Sequence, residues 1–129
     1  MSKRNLESII IEWLNELIPD YPCSSERPKN LPEKYSLVER TGGPRIAMLG
    51  DSASVRIEIY DKKSKPDCAE IADFVADSVK RLEQDYADVT KAEVNSVIPN
   101  EDTERQYFCY EIYLDVFYSR VSESPIPTI

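Results

Sequence analysis

Three features of the chain predict an α+β fold in which a single, mainly antiparallel β-sheet packs against an amphipathic helix, with an additional helix at the N-terminus. A long stripe of helical period occupies residues 66–86, with segments of two-residue alternation on either side of it. A shorter helical stripe precedes the first of those segments. The last two strands are joined by a short turn cluster, as antiparallel neighbours are. With 129 residues and 41% hydrophobic content, the chain suffices for one compact domain and is too short for two. That domain is assigned to residues 1–118, followed by a flexible C-terminal tail at 119–129, where two prolines and three serines interrupt any pattern.

The first helix is expected from Asn5 to Ile18, because Leu6, Ile10, Trp13, Leu14 and Leu17 recur at helical spacing and Glu7 and Glu12 fall outside the stripe. Asn5 suits the cap and Pro19 the stop. Residues Asp20 to Pro32, with three prolines, read as an extended surface loop. A strand over Tyr35 to Arg40 then meets the breaker Thr41-Gly42-Gly43-Pro44 and resumes at Arg45 to Leu49, as a hairpin or broad bend. From Ala53 to Asp61 alternation is clean: Val55, Ile57 and Ile59 share one face, and Arg56, Glu58 and Tyr60 the other.

The second helix is predicted over Pro66 to Tyr86. Cys68, Ala72, Val75, Val79, Leu82 and Tyr86 form its stripe, widened by Ile71 and Phe74. Ser64 caps it, Pro66 suits its first turn, and Asp67 and Glu70 favour the positive end of its dipole. Two strands follow, Val89 to Ile98 and Gln106 to Tyr118, joined by Pro99-Asn100-Glu101-Asp102. In the last strand Phe108, Tyr110, Ile112, Leu114, Val116 and Tyr118 share one face. The opposite face carries Tyr107, Cys109, Glu111, Tyr113, Asp115 and Phe117, which is aromatic enough to require cover; the first helix or a partner would supply it.

Composition excludes several function classes. No stretch approaches the roughly 20 apolar residues of a membrane span, and the basic start Met1-Ser2-Lys3-Arg4 has no apolar signal region behind it, so the expected location is cytoplasmic. Cys23, Cys68 and Cys109 are scattered singly and read as reduced, buried thiols at 68 and 109 with Cys23 left open. A net charge of -8, from 24 acidic and 16 basic residues, argues against clamping DNA or an anionic membrane. It is compatible with a conduit through which DNA slides.

Chemistry is mostly absent from the pattern. The chain has no histidine, which removes imidazole-based triads and the commonest general base. Gly42-Gly43 lies between strands rather than ahead of a helix, so it is no phosphate cradle. Two acidic groups, Asp51, Glu58 and Asp61, and Glu101, Asp102 and Glu104, are candidates for magnesium, weighed against plain solvated charge. No catalytic residue, metal or cofactor is assigned. Two surfaces remain as interaction sites: the charged set Glu39, Arg40, Arg56 and Glu58, which fits an identical neighbour or ordinary pairing within the chain, and the aromatic side of the last strand.

The run Leu37-Val38-Glu39-Arg40-Thr41-Gly42-Gly43, then Ala53-Ser54-Val55-Arg56-Ile57-Glu58-Ile59-Tyr60, then Cys68-Ala69-Glu70-Ile71-Ala72-Asp73-Phe74-Val75 resembles the tail terminator proteins of long-tailed bacteriophages and prophages, in element order across residues 5–118. The resemblance implies a small α+β subunit with no catalysis and no cofactor. Six copies would form a ring that caps the tail tube, stops its polymerisation and presents a surface to the head–tail connector. DNA would pass through without specific binding. By matched position, Arg40, Thr41, Gly42 and Gly43 would shape a loop at a ring interface, and Arg56 and Glu58 would face a neighbour or the channel. The location implied is the host cytoplasm during assembly and the virion tail afterwards. The loop at 20–32 and the tail after Ser119 have no counterpart in the resemblance. Three alternatives stand beside it: another head–tail joining protein, an acidic cytoplasmic adaptor or immunity-type protein, and a metal-dependent enzyme built on Asp51, Glu58 and Asp61.

Overall fold

The computed structural model describes residues 5–42, 45–46 and 50–118, with backbone alone for residues 45, 46, 50 and 51. The expected flexible tail at 119–129 and the expected strand residues 47–49 lie outside the described residues. The elements run α1 (Leu6–Leu17), β1 (Cys23–Ser24), β2 (Lys34–Gly42), β3 (Arg45–Ile46), β4 (Gly50–Asp61), α2 (Lys65–Asp77), α3 (Arg81–Asp85), β5 (Val89–Pro99) and β6 (Phe108–Tyr118). The fold is α+β. Its six-stranded sheet has the order β1-β2-β4-β6-β5, with β3 pairing β4 off that path, and only the short β1 runs parallel to its neighbour.

Helix α1 forms where its cap and stripe coincide. The Asn5 side chain accepts the Ser8 amide at 2.8 Å, satisfying one orphan donor of the first turn. Leu6, Ile9, Ile10, Trp13 and Leu14 are buried, so Ile9 joins the expected stripe while Leu17 stays at its margin. Ser64 caps α2 as its spacing predicts, accepting the Asp67 amide at 3.1 Å, and Cys68, Ala72 and Val75 face the core. Register places Val38, Ile57, Ile112 and Val97 opposite one another, and Val55 opposite Leu114. Those side chains pack with α1 and α2 in one apolar cluster, so both helices cover the same face of the sheet. Burial of such side chains contributes about 1.5–3 kcal/mol each, most of it offset by chain entropy.

The structure corrects three expectations. The second helix is not continuous from Pro66 to Tyr86: it ends at Asp77 and resumes as the short α3. Ser78 is the cause, because its hydroxyl donates back to the Phe74 carbonyl at 2.7 Å and its amide is shared between Phe74 and Val75. Bonds of i to i−3 type follow, from Val79 to Ala76, Arg81 to Ser78 and Leu82 to Val79, which tighten the turn. Val79 and Leu82 still reach the core across the break, so the apolar spacing gives no sign of it. Phe74 does not widen the stripe either; it is 44% exposed.

The segment from Asp20 to Pro32 is more than a surface loop. Tyr21 and Cys23 are buried, and Cys23–Ser24 pairs with Ser36–Leu37 as the parallel edge strand β1. Asn15 of α1 brackets Cys23, its amide donating to the Cys23 carbonyl at 3.3 Å and its oxygen accepting the Cys23 amide at 2.8 Å. Burial pushes the Cys23 thiol up to about 11 and those of Cys68 and Cys109 up to about 12, so all three are held as neutral thiols. Among the described residues no helix is long and apolar enough to cross a membrane.

Candidate interaction surface

The face of the sheet opposite the helices is the candidate site. Its side chains form cross-strand rows fixed by register: Tyr35, Tyr60 and Cys109; then Leu37, Glu58, Glu111 and Ile98; then Glu39, Arg56, Tyr113 and Ser96; then Ser54, Asp115 and Glu93. The first row is closed over. Tyr35 and Tyr60 stack with centroids 4.6 Å apart, and Tyr107 meets both edge-on. Arg27 donates to the Tyr35 and Tyr60 hydroxyls, each at 3.1 Å, and the Tyr107 hydroxyl donates to the Pro32 carbonyl at 2.6 Å. The proline-rich segment thereby seals this end of the face.

The middle rows form a charged network. The Arg56 guanidinium pairs with Glu39 and lies 3.3 Å from Glu58. Glu58 also accepts the Tyr60 hydroxyl at 3.1 Å. Glu111, directly across from Glu58, accepts from Tyr113 and from Asn100, both at 2.7 Å. Burial raises the Glu58 carboxyl above its ordinary value; Tyr60 and Arg56 pull it down, and Glu111 pushes it further up. Burial opposes the charge on Arg56, yet Tyr113, Glu58, Glu39 and Glu111 together hold it more firmly protonated than usual.

The expected site residues divide between two faces. Arg56 and Glu58 come together with Glu39, engaged with one another inside the chain. Arg40 does not join them. It pairs with Val55, so it lies on the helix side, where its amide donates to Glu7 at 3.1 Å and its guanidinium sits 5.9 Å from the centre of the Tyr118 ring. Thr41 donates to the Ser54 carbonyl at 3.2 Å within a register shift between Arg40 and Gly42. Gly42 holds φ +147, a conformation that side-chain-bearing residues rarely adopt, although a Cβ there would meet no atom within 4 Å. Gly43 lies outside the described residues.

Helix α1 does not cover Tyr113 and Phe117, because it packs on the other face; both remain half-buried by their neighbours on the sheet. The acidic triplet Asp51, Glu58 and Asp61 is not brought together. Glu58 and Asp61 stand three apart on one strand and therefore point to opposite faces. Asp61 is fully buried, accepting the Tyr21 hydroxyl at 2.7 Å and the Lys63 and Ser64 amides at 2.9 and 3.0 Å. Burial works against its charge, but these donors prevail and lower its carboxyl below the ordinary range. Asp51 pairs through its backbone with Tyr118 at the far end of β4. In the second acidic group, Asp102 accepts the amide and guanidinium of Arg105, each at 3.1 Å. Among the described residues, no group of three or more Cys, Asp or Glu side chains is placed to hold a metal ion.

Sequence reasoning placed Tyr107 on this face but missed Arg27 and Asn100. Their partners lie 8 to 33 positions away in the chain, beyond any local spacing rule. No protein-family model matches the chain, and no curated protein matches it.

Proposed function

We propose that the chain is a structural, non-catalytic subunit of phage tail assembly: copies close into a ring, expected to be a hexamer, that caps the tail tube, stops its growth and joins the tail to the head connector. The proposal rests on the resemblance carried by residues 37–43, 53–60 and 68–75, and one structural observation supports it. The helices cover one side of the sheet only, leaving on the other a broad face of fixed, preorganised charge that a neighbouring subunit can read. Tube protein and connector would be the further partners, DNA would pass through the ring unbound, and the protein would move from the host cytoplasm into the virion. Arg40 to Gly43, at the shifted end of β2, would belong to the rim between subunits.

The test is the solution mass by light scattering across a concentration series, followed by a pull-down with tail-tube protein. A closed oligomer that co-purifies with tube protein is the expected result. A monomer at every concentration that also fails to bind tube protein overturns the proposal. That outcome favours a second reading, an acidic adaptor that meets a basic partner, because the same face carries an excess of carboxylates; its binding would fall steeply with salt. Another head–tail joining protein would differ in the partner retained.

A further inference from the structure

We infer that the acidic face of one copy receives the Lys62–Lys65 turn of a second copy, an inference that rests on the ring reading above and names the contact that would build the ring. The face carries five carboxylates, Glu39, Glu58, Glu93, Glu111 and Asp115, against three cations, Arg27, Arg56 and Lys91. All three cations are already engaged, Arg27 with the Tyr35 and Tyr60 hydroxyls, Arg56 with Glu39 and Glu58, and Lys91 with Glu93 at 3.3 Å. Glu111 and Asp115 are held by neutral donors: Tyr113 and Asn100 for the first, Ser54 at 3.3 Å and Asn95 at 2.9 Å for the second. Apart from the Arg56 Nε, which is buried without a hydrogen-bond partner, these groups are paired, and carboxylates still outnumber cations, which is the condition under which an incoming cation gains most.

The same chain presents the complement. Lys62, Lys63 and Lys65 are exposed on the turn between β4 and α2. That turn is rigid, since buried Asp61 accepts the Lys63 and Ser64 amides and Ser64 caps the helix. Lys63 has an ion pair with Glu33 at 3.2 Å, but their side chains are 70% and 57% exposed, so the pair is weak and open to exchange. Within one chain the turn cannot reach the Asp115 row: Asp115 pairs with Ser54, seven residues back along β4 from Asp61, or about 23 Å at 3.3 Å per residue. A contact with that row must be made between copies. Because it joins two different surfaces, it is head-to-tail, the kind that propagates around a ring.

Paired charge neutralisations test this, because reversals at these positions would gather like charges inside the monomer. K63Q/K65Q neutralises the turn and E39Q/E93Q discharges the face, all at exposed positions, with thermal melts to verify that each variant folds. Each alone is expected to weaken self-association about tenfold or more in light scattering at low salt. Mixing the two variants is expected to give a one-to-one dimer, because the intact turn of one meets the intact face of the other while the remaining turn and face no longer pair. Wild-type mass in either variant alone, or no dimer on mixing, overturns the inference while an oligomeric wild type leaves the ring reading standing. A wild type that stays monomeric and ignores tube protein overturns both.

Discussion

The two faces of the sheet are held by different physics. On the helix side, Val55, Ile57, Ile59, Ile112 and Leu114 are wholly excluded from water under α1 and α2, and cohesion comes from apolar area and close packing. On the other side, beyond the buried cluster of Tyr35, Tyr60 and Tyr107, stability comes from pairing: each carboxylate needs a donor, and the arrangement tolerates little rearrangement of charge. The comparison teaches that a small domain can keep an open face ordered without hydrophobic cover, provided its polar groups satisfy one another.

The largest expected effect breaks the helix side. Ile57→Ala leaves a cavity at the centre of the sheet and should cost about 2–5 kcal/mol in denaturant unfolding. Arg56→Ala, one position along and on the opposite face, should cost only about 1–2 kcal/mol, since the side chain is partly exposed and its loss leaves Glu39 and Glu58 without their shared cation. Added salt should recover part of that loss and none of the loss at Ile57. For the same reason charge reversal at Arg56 is a poor probe of assembly: it gathers like charges inside the monomer.

Acid should separate the faces by sign. Asp61, on the helix side, has a lowered carboxyl, so its contribution is present above its unfolded value near 4 and is lost as pH falls through the folded value. Glu58 is raised, so its ionisation opposes folding at neutral pH, and that penalty is relieved as pH falls through its folded value. In urea titrations from pH 7 down to 3, Asp61→Asn should flatten the acid loss of stability, whereas Glu58→Gln should steepen it. The same slope in both variants would mean that the faces are not distinct in this respect. The smallest effect belongs to Phe74→Leu: with its side chain 44% exposed on α2 and helix propensity and most of the apolar area retained, it should change stability by no more than about 0.5 kcal/mol in a thermal melt.

The helix side was the legible one. The alternation of Val55, Ile57 and Ile59, the stripe from Cys68 to Leu82 and the caps at Asn5 and Ser64 are all local signals, and the elements they predict are present, except that the one helix expected over Pro66 to Tyr86 is two. Periodicity states which residues share a face; it does not state which element covers it. Of the two covers considered for Tyr113 and Phe117, the first helix therefore proves to lie on the other side, and Arg40 separates from Arg56 because successive strand residues point apart. The break at Ser78 turns on one hydroxyl choosing a backbone acceptor four residues back, a competition invisible to apolar spacing. The seal formed by Arg27, Tyr35, Tyr60 and Tyr107 joins residues from four parts of the chain and becomes readable only once the sheet has formed.

The margins of the sheet carry one last consequence. At one margin β2 is accompanied by the two-residue β1, and at the other β5 is interrupted by register shifts at Val89–Lys91 and Val94–Ser96 and ends at Pro99. A strand with such irregularities offers no straight run of free amides and carbonyls for a stranger to zip onto, which is how natural sheets avoid endless edge-to-edge polymerisation and amyloid. Edge-to-edge pairing along β5 is thus disfavoured, even though Val94 and Ile98 leave apolar surface on that outer strand.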